Sequence, residues 1–435
     1  MSQTNIAAGS AMARKVYGAA LFAKVVSAPT LVKNLTGPAP KQSDAEAKLK
    51  GQTVPDMPIV RVTDLASTAG DTVSVDAFDT VTGKPIMGDK NAEGRGVALS
   101  SSSMDVKIDN STFGVDAGGK MSQKRTVTQL RGIAMAQLLG YFPRLDTQKA
   151  LIHMAGARGT QTGKDWVVPL ASDTDFNDIM INTVKAPTYN RHLVIKGTSF
   201  EVGGARLDAS AGTPIATTDL WTLNHVDELS MVLSDHNMAL QPVKIHDDPA
   251  ADDDPIKGIL FVTERQWVSI KASSDYKTAV QTAWARKSYG TKHPLFSGEP
   301  IMWNGILIRK LPKFAIRFKA ADTVKYIAVG NRYVAAQTES DATIPSGFTG
   351  AAGGYAVERA LLLGAQALAY VFGSNKQSGS GFNWLERLYN FERNLEVAGE
   401  SMGGMAKLRF TYDDGAGNQE PTDQGVFVID SAVKV

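Results

Sequence analysis

Residues 114–126 read GVDAGGKMSQKRT. Gly114, Gly119 and Lys120 nearly spell a loop that cradles nucleotide phosphates. In such a loop, glycines free backbone N–H groups to wrap the phosphates. A lysine reaches the terminal phosphates, and a Ser or Thr directly after it holds magnesium. Here Met121 follows Lys120, and Ser122 comes one position late. The loop should also follow a buried apolar strand, whereas Met104–Thr112 alternates as a half-polar strand. The glycines are therefore expected to form a turn, Gly118 and Gly119, that feeds a helix. A nucleotide-dependent enzyme is kept as a rival, under which Lys120→Ala abolishes activity.

The other candidates for chemistry are as plain. His153, His192, His225, His236, His246 and His293 never fall as His-x-x-x-His, so structural or surface roles are expected. Asp247–Pro255 concentrates five carboxylates but lacks the alternating ligands and central glycine of a calcium loop. It reads as a solvated acidic loop, and Tyr412–Asn418 as a turn. No Gly-x-Ser-x-Gly elbow occurs, and there are no cysteines for disulfides, zinc thiolates or a thiol nucleophile. No catalytic residue, metal or cofactor is assigned. Lys120, Lys124, Arg125 and Arg131 cluster where a helix should begin; phosphate contact and ordinary surface charge both fit.

The elements that must carry these residues follow from pattern. The 435 residues allow about two to three domains of ~150 residues. Apolar residues are 43% and charged residues 21%, and the net charge is +2, which argues against an extended polyanion site. No apolar run reaches the ~20 residues of a membrane span, the longest being Ala360–Gly373. With no signal-like apolar core at the start, a soluble protein of a reducing cytoplasm is expected.

Residues 1–60 read as an extended arm, Pro- and Lys-rich, with an amphipathic helix over Ala11–Val26 and little to bury. Residues 71–110 read as a long hairpin. Val73, Val75 and Ala77 alternate on one strand, and Val97, Leu99, Met104, Val106 and Ile108 answer on the other, around a glycine-rich tip. One sticky face without a core of its own is expected to lie on a neighbour. A helix is predicted from Thr126, with Gln129 completing a capping box. Leu130, Ala134, Leu138, Phe142, Leu145 and Ile152 form its apolar face, and Gly156 and Gly159 stop it. Pro143 is expected to split it into two segments of a bent rod. Further on, Leu223, Val226, Leu229 and Leu233 mark a helix. Ile259–Val262 is a buried strand followed by a helix capped by Thr263 and Gln266, and Asp275 caps another helix. MWNGILIRKL, KYIAVG and FVIDSAVK read as strands.

This order of arm, hairpin, long helix and mixed domain resembles the major capsid proteins of tailed phages with the Hong Kong 97 (HK97)-like fold, an α+β class. Gly118, Gly119, Lys120, Met121, Ser122, Arg125 and Thr126 resemble a motif of the N-four-type phage coat proteins. His293, Pro294, Leu295, Phe296, Ser297 and Gly298, with Asn304 and Gly305, are similar to a second block of that family. Glu358–Leu368 and Phe382–Phe410 are similar to a third and a fourth. The resemblance covers roughly residues 70–435. It implies an N-terminal arm (1–60), an E-loop hairpin (61–115), a peripheral domain with the spine helix (116–205), an axial domain (206–375) and a return to the peripheral domain (376–435).

The function implied is a shell subunit that self-assembles as hexamers and pentamers around double-stranded DNA in the virion, after assembly in the host cytoplasm. Partners would be copies of the chain, a portal, scaffold or decoration proteins, and DNA through non-specific contact, with no membrane. Assembly roles are implied for Lys84, Lys90, Arg95 and Met104 on the hairpin and for Lys120, Arg125 and Arg131 at the helix start. Lys90 and Asn91 at the tip invite comparison with the Lys–Asn cross-links of some shells, but turn and solubility roles account for them. An encapsulin-type nanocompartment shell shares the fold and is the nearer alternative.

Overall fold

The structure is a computed structural model. It describes residues 31–37, 52–63, 70–79, 84–88, 93, 96, 100–119, 130–236, 238–244, 256–274, 276–278, 301–311, 314–374, 382–389, 391–392 and 394–435. The chain begins with α1 (Leu31–Leu35), β1 (Ile59–Val62), β2 (Thr72–Phe78), β3 (Ser101–Lys107), β4 (Asp109–Gly119) and the long α2 (Leu130–Ala155). The middle contains α3 (Phe176–Met180), β5 (His192–Lys196), β6 (Ser199–Val202), α4 (Leu223–Asp235), β7 (Gly258–Val262) and α5 (Glu264–Ala272). Strands then dominate: β8 (Ile301–Trp303), β9 (Ile306–Lys310), β10 (Ile316–Phe318), β11 (Thr323–Ile327), β12 (Glu339–Thr343) and β13 (Tyr355–Leu363). The last are β14 (Leu368–Phe372), β15 (Phe382–Tyr389), β16 (Asn394–Lys407), β17 (Arg409–Asp413), β18 (Gln419–Asp423) and β19 (Val426–Lys434).

Helix α2 follows its apolar stripe. Ala134, Leu138, Phe142, Leu145 and Ile152 are all buried in the main core. The helix stops where a left-handed residue is needed: Gly156 has φ 65° and its N–H donates to the Ile152 carbonyl at 2.9 Å. The predicted start at Thr126 and Gln129 lies outside the described residues. The expectation of two segments is corrected, because the helix runs through Pro143 without a break. Pro143 removes the N–H that Leu139 would have accepted. Burial of Phe142 and Leu145 on either side holds the helix across that gap, since packing rather than propensity supplies most helical stability in a protein. Thr147 Oγ1 donates to the Pro143 carbonyl at 2.7 Å.

Two sheets flank this core. In the larger, the strand order is β6-β5-β19-β13-β7-β9-β8, and β10 also pairs with β13. Its centre, β19 against β13, is antiparallel over nine residue pairs from Tyr355↔Lys434 to Leu363↔Val426. Strand β19 is therefore an inner strand, between β5 and β13. The smaller sheet orders β1-β14-β16-β15, with β4 also on β16. Strand β16 is long enough to pair with β15 and then β14 along one edge while β4 takes the other.

The larger sheet's second face is covered by α4 and α5. Leu223, Val226, Leu229 and Leu233 of α4 pack with Trp267 and Ile270 of α5 on Leu193, Leu260, Leu362 and Phe427. Both helices start on capping boxes, Thr222 with His225 and Thr263 with Gln266. His225 is thereby a buried structural residue, as expected. Asn304 and Gly305, both left-handed (φ 47° and 78°), form the tight β8–β9 turn.

The described part of residues 31–62 corrects the reading of an arm with little to bury. Leu31, Val32 and Leu35 of α1 and Ile59 of β1 are buried in the main core, and β1 pairs in parallel with β14. Ala11–Val26, the acidic run after His246 and the Asp275 cap lie outside the described residues. So do Val97, Leu99 and His293–Gly298.

Candidate assembly surfaces

The hairpin predicted over 71–110 is present as β2 and β3, antiparallel, with Val73↔Val106 and Val75↔Met104 opposed. Its inner face is Val73, Val75, Ala77, Met104 and Val106. This face packs on Val60, Val62, Val371, Leu408 and Phe410 of the same chain, and Val106 is fully buried. The expectation that the sticky face lies on a neighbour is thus corrected for the stem. Close approach is the physical reason: Gly404 in β16 lets the Lys107–Ile108 backbone at the β3–β4 junction sit directly on the smaller sheet. What the hairpin leaves for another body is its outer face and far end. Phe78 is 68% exposed and Met87 70% exposed, and Lys84 beside it is exposed too. Lys90, Arg95, Lys120 and Arg125 lie outside the described residues.

Two of the named side chains act within the chain. Met104 packs under the hairpin. Arg131, in the first turn of α2, donates from Nε and Nη2 to Glu386 Oε1 of β15 at 2.9 and 2.7 Å. Trp384 Nε1 donates to the same oxygen at 3.0 Å. The Glu386 side chain is buried, so this ion pair fixes the start of the long helix to the smaller sheet.

A surface that sequence reasoning missed lies nearby. The β15–β16 hairpin turns through Phe391 and Glu392, both left-handed (φ 53° and 63°). Tight hairpin turns of this hand usually take Asn and Gly, so a Phe and a Glu here carry backbone strain of about 1 kcal/mol or more each. The Phe391 ring is 96% exposed. The signal available in the sequence is an aromatic inside the polar run YNFERN. On the same sheet, Phe113 of β4 stacks on Tyr141 of α2 with centroids 3.8 Å apart. A separate exposed apolar group, Val329, Tyr333 and Val334, follows β11.

The glycine loop is not a phosphate cradle. Residues 114–119 belong to β4 and pair with β16 from Gly114↔Ala398 to Gly119↔Asn394. Gly118 and Gly119 are therefore strand residues, which corrects the predicted turn. The register shifts between Asn394 and Glu396, where three steps along β4 oppose two along β16, a bulge that glycine accommodates. Tyr412–Asn418 is a turn as expected: Asp413 Oδ1 accepts from Gly415 N and Gly417 N, and Asp414 Oδ1 from Ala416 N and Asn418 N.

The body that carries these surfaces is tied by buried charges. Arg359 of β13 donates from Nε and Nη2 to Asp430 of β19 at 2.8 and 2.9 Å and from Nη1 to the Ala155 carbonyl. His192 Nε2 lies 2.7 Å from Asp430 Oδ2. Burial alone would raise the Asp430 pKa, but the Arg359 charge and the hydrogen bonds from His192 and Arg359 hold it down at about 2. Glu358 takes Arg317 and the Thr263 hydroxyl. Such pairs are costly to break because removing one partner leaves a buried charge. They join the end of α2 to the middle of the larger sheet. No described helix is long and apolar enough to cross a membrane.

Comparison with known proteins agrees with this architecture. No curated protein matches the sequence. Solved structures do. A capsid of Ralstonia phage GP4 is similar with a TM-score of 0.62 at 22% identity, over 100% of this chain and 99% of that one. The cyanophage Pam1 capsid gives 0.58 at 16% identity over 92% and 95%. The head of Helicobacter pylori bacteriophage KHP40 gives 0.55 at 11% identity over 93% and 92%. At these identities the likeness establishes the fold, which is the HK97-like fold of phage capsids. The sequence itself matches the family described as phage capsid protein over residues 5–435. A hairpin held at its stem, a long core helix and a family match over nearly the whole length lead to one conclusion: this chain belongs to the phage capsid protein family, as a major capsid protein of the icosahedral shell.

Proposed function

We propose that the chain builds its shell as hexamers and pentamers that confine the double-stranded DNA of a tailed phage, meeting a portal and scaffold or decoration proteins in the host cytoplasm. The observation that carries the interfaces is the hairpin. It is a two-stranded unit whose stem is docked on its own chain while Phe78 and Met87 remain exposed beyond it. Head-to-tail contacts that close into rings need such donor surfaces. Residues 61–115 act as the E-loop, 116–205 and 376–435 as the peripheral domain, and 206–375 as the axial domain, in which Val329, Tyr333 and Val334 are apolar and exposed. On the hairpin, Lys84, Lys90, Arg95 and Met104 support the tip and its stem. Assembly roles fall likewise to Lys120, Arg125 and Arg131 at the helix start. A net charge of +2 suits a wall that confines DNA without holding it through many phosphate contacts.

The nanocompartment alternative is separated by cargo. Particles purified from the native source should protect double-stranded DNA from nuclease. Particles that instead hold one enzyme and no nucleic acid would overturn the proposal.

A further inference from the structure

Between β3 and the body lies a cavity of about 460 Å³. Its described lining holds four cationic side chains, Lys107, Lys185, Lys407 and Arg409, against one carboxylate, Asp105. Lys407 and Arg409 share one carboxylate, the buried Asp423: Lys407 Nζ is 2.7 Å from Oδ2, and Arg409 Nε is 2.8 Å from Oδ1. Arg409 Nη1 and Nη2 each donate once more, to Gln337 Oε1 and to the Ala186 carbonyl, and each keeps one further N–H. One carboxylate for two cations leaves positive charge where the Lys407 side chain is only 4% exposed. In such a place solvent and salt screen little. Burial, opposed by Asp423, brings the Lys407 pKa down to about 8, so it is still mostly charged at neutral pH.

A second observation points into the same cavity. His153, on the last turn of α2, lines it and is 2% exposed. Its ring hydrogen bonds to the Met180 backbone, and its buried Nε2 has no hydrogen-bond partner. Buried polar atoms are nearly always paired, so an unpaired one calls for a cause. Burial first, then the charges of Lys149 and Lys407, push the His153 pKa down to about 3, so the ring is neutral. A neutral imidazole whose N–H serves Met180 presents its other nitrogen as an acceptor.

We propose that this cavity is a binding site for hydrogen phosphate, held by Lys407 and Arg409, with its P–OH donated to His153 Nε2 and Lys107 closing it from the hairpin. Cation–oxyanion hydrogen bonds are the strong class, and a ligand so held bridges β3 to the body. Sulfate and DNA phosphodiesters carry no such hydroxyl at neutral pH. Binding does not depend on the shell reading; only its consequence, a hairpin pinned to its own subunit, does.

The test is calorimetric titration of the purified full-length chain with inorganic phosphate, and separately with sulfate, at constant ionic strength set by chloride. Saturable phosphate binding, weaker sulfate binding and no displacement by duplex DNA are expected. Lys107→Ala and Lys185→Ala remove exposed side chains and leave the fold intact. Each should weaken phosphate about 2- to 5-fold, and Lys407→Met about tenfold or more. Non-saturable heats, equal response to sulfate, affinities unchanged in both exposed variants, or displacement of phosphate by duplex DNA would each overturn the proposal. Hairpin protection from protease with and without phosphate reports the consequence separately.

Discussion

Gly404→Ala tests how the hairpin is held. A Cβ at this position would fall well inside 3.0 Å of the Lys107 carbonyl oxygen, at 3.0 Å from its carbon and 3.2 Å from Ile108 Cα. The obstacle is backbone on both sides, so no rotamer change relieves it. The β3–β4 junction must retreat by about 1 Å, and overpacking of this kind costs about 1–3 kcal/mol. Val106, next to Lys107 and fully buried, moves with it. For 435 residues the unfolding entropy is large, about 0.9 kcal/mol per degree, so the melting temperature should fall only about 1–3 °C. The sensitive assay is local. Hydrogen exchange of the β3 amides should speed by about 5- to 150-fold, the factor that 1–3 kcal/mol represents. Exchange in the larger sheet should stay as in the parent chain. Unchanged exchange over 101–107, or loss of protection across the whole molecule, would refute a hairpin stem docked through that glycine.

Other outcomes follow from the same geometry. Asp430→Asn leaves Arg359 buried without its carboxylate and should cost about 3–5 kcal/mol in chemical denaturation. Because the folded Asp430 pKa is lowered from 3.8 to about 2, its contribution is complete above about pH 4 and lost as pH falls toward 2. An acid denaturation curve read over that window should therefore be flatter in the Asn variant. Pro143→Ala restores an N–H inside α2 and should stabilise the chain by up to about 3 kcal/mol, seen as a raised denaturation midpoint. Phe391→Ser should leave the stability of the isolated chain within about 0.5 kcal/mol while lowering shell yield, checked by sedimentation.

Local chemistry was legible in the sequence, and long-range pairing was not. The face of α2, the Gly156 stop, the Thr263–Gln266 box and the β2–β3 alternation all rest on neighbours in sequence, and the structure places them as read. The parallel pairing of β5 with β19 joins residues 192–194 to 428–430, and no local pattern announces it. Gly118 and Gly119 were misread because a glycine at a bulge and a glycine in a turn look alike without the opposing strand. The sticky face of the hairpin is legible in the sequence, but its destination depends on Gly404, nearly three hundred residues away. The strained turn at Phe391 breaks the usual turn chemistry, and such breaks are where local rules give no warning.

The most direct test of self-assembly through the hairpin replaces Met87, at its exposed end, with a photoreactive residue and irradiates the purified protein under assembly conditions. Cross-links between subunits, together with closed isometric shells in negative stain, are predicted. A compact monomer whose position 87 links only to its own chain would contradict the account.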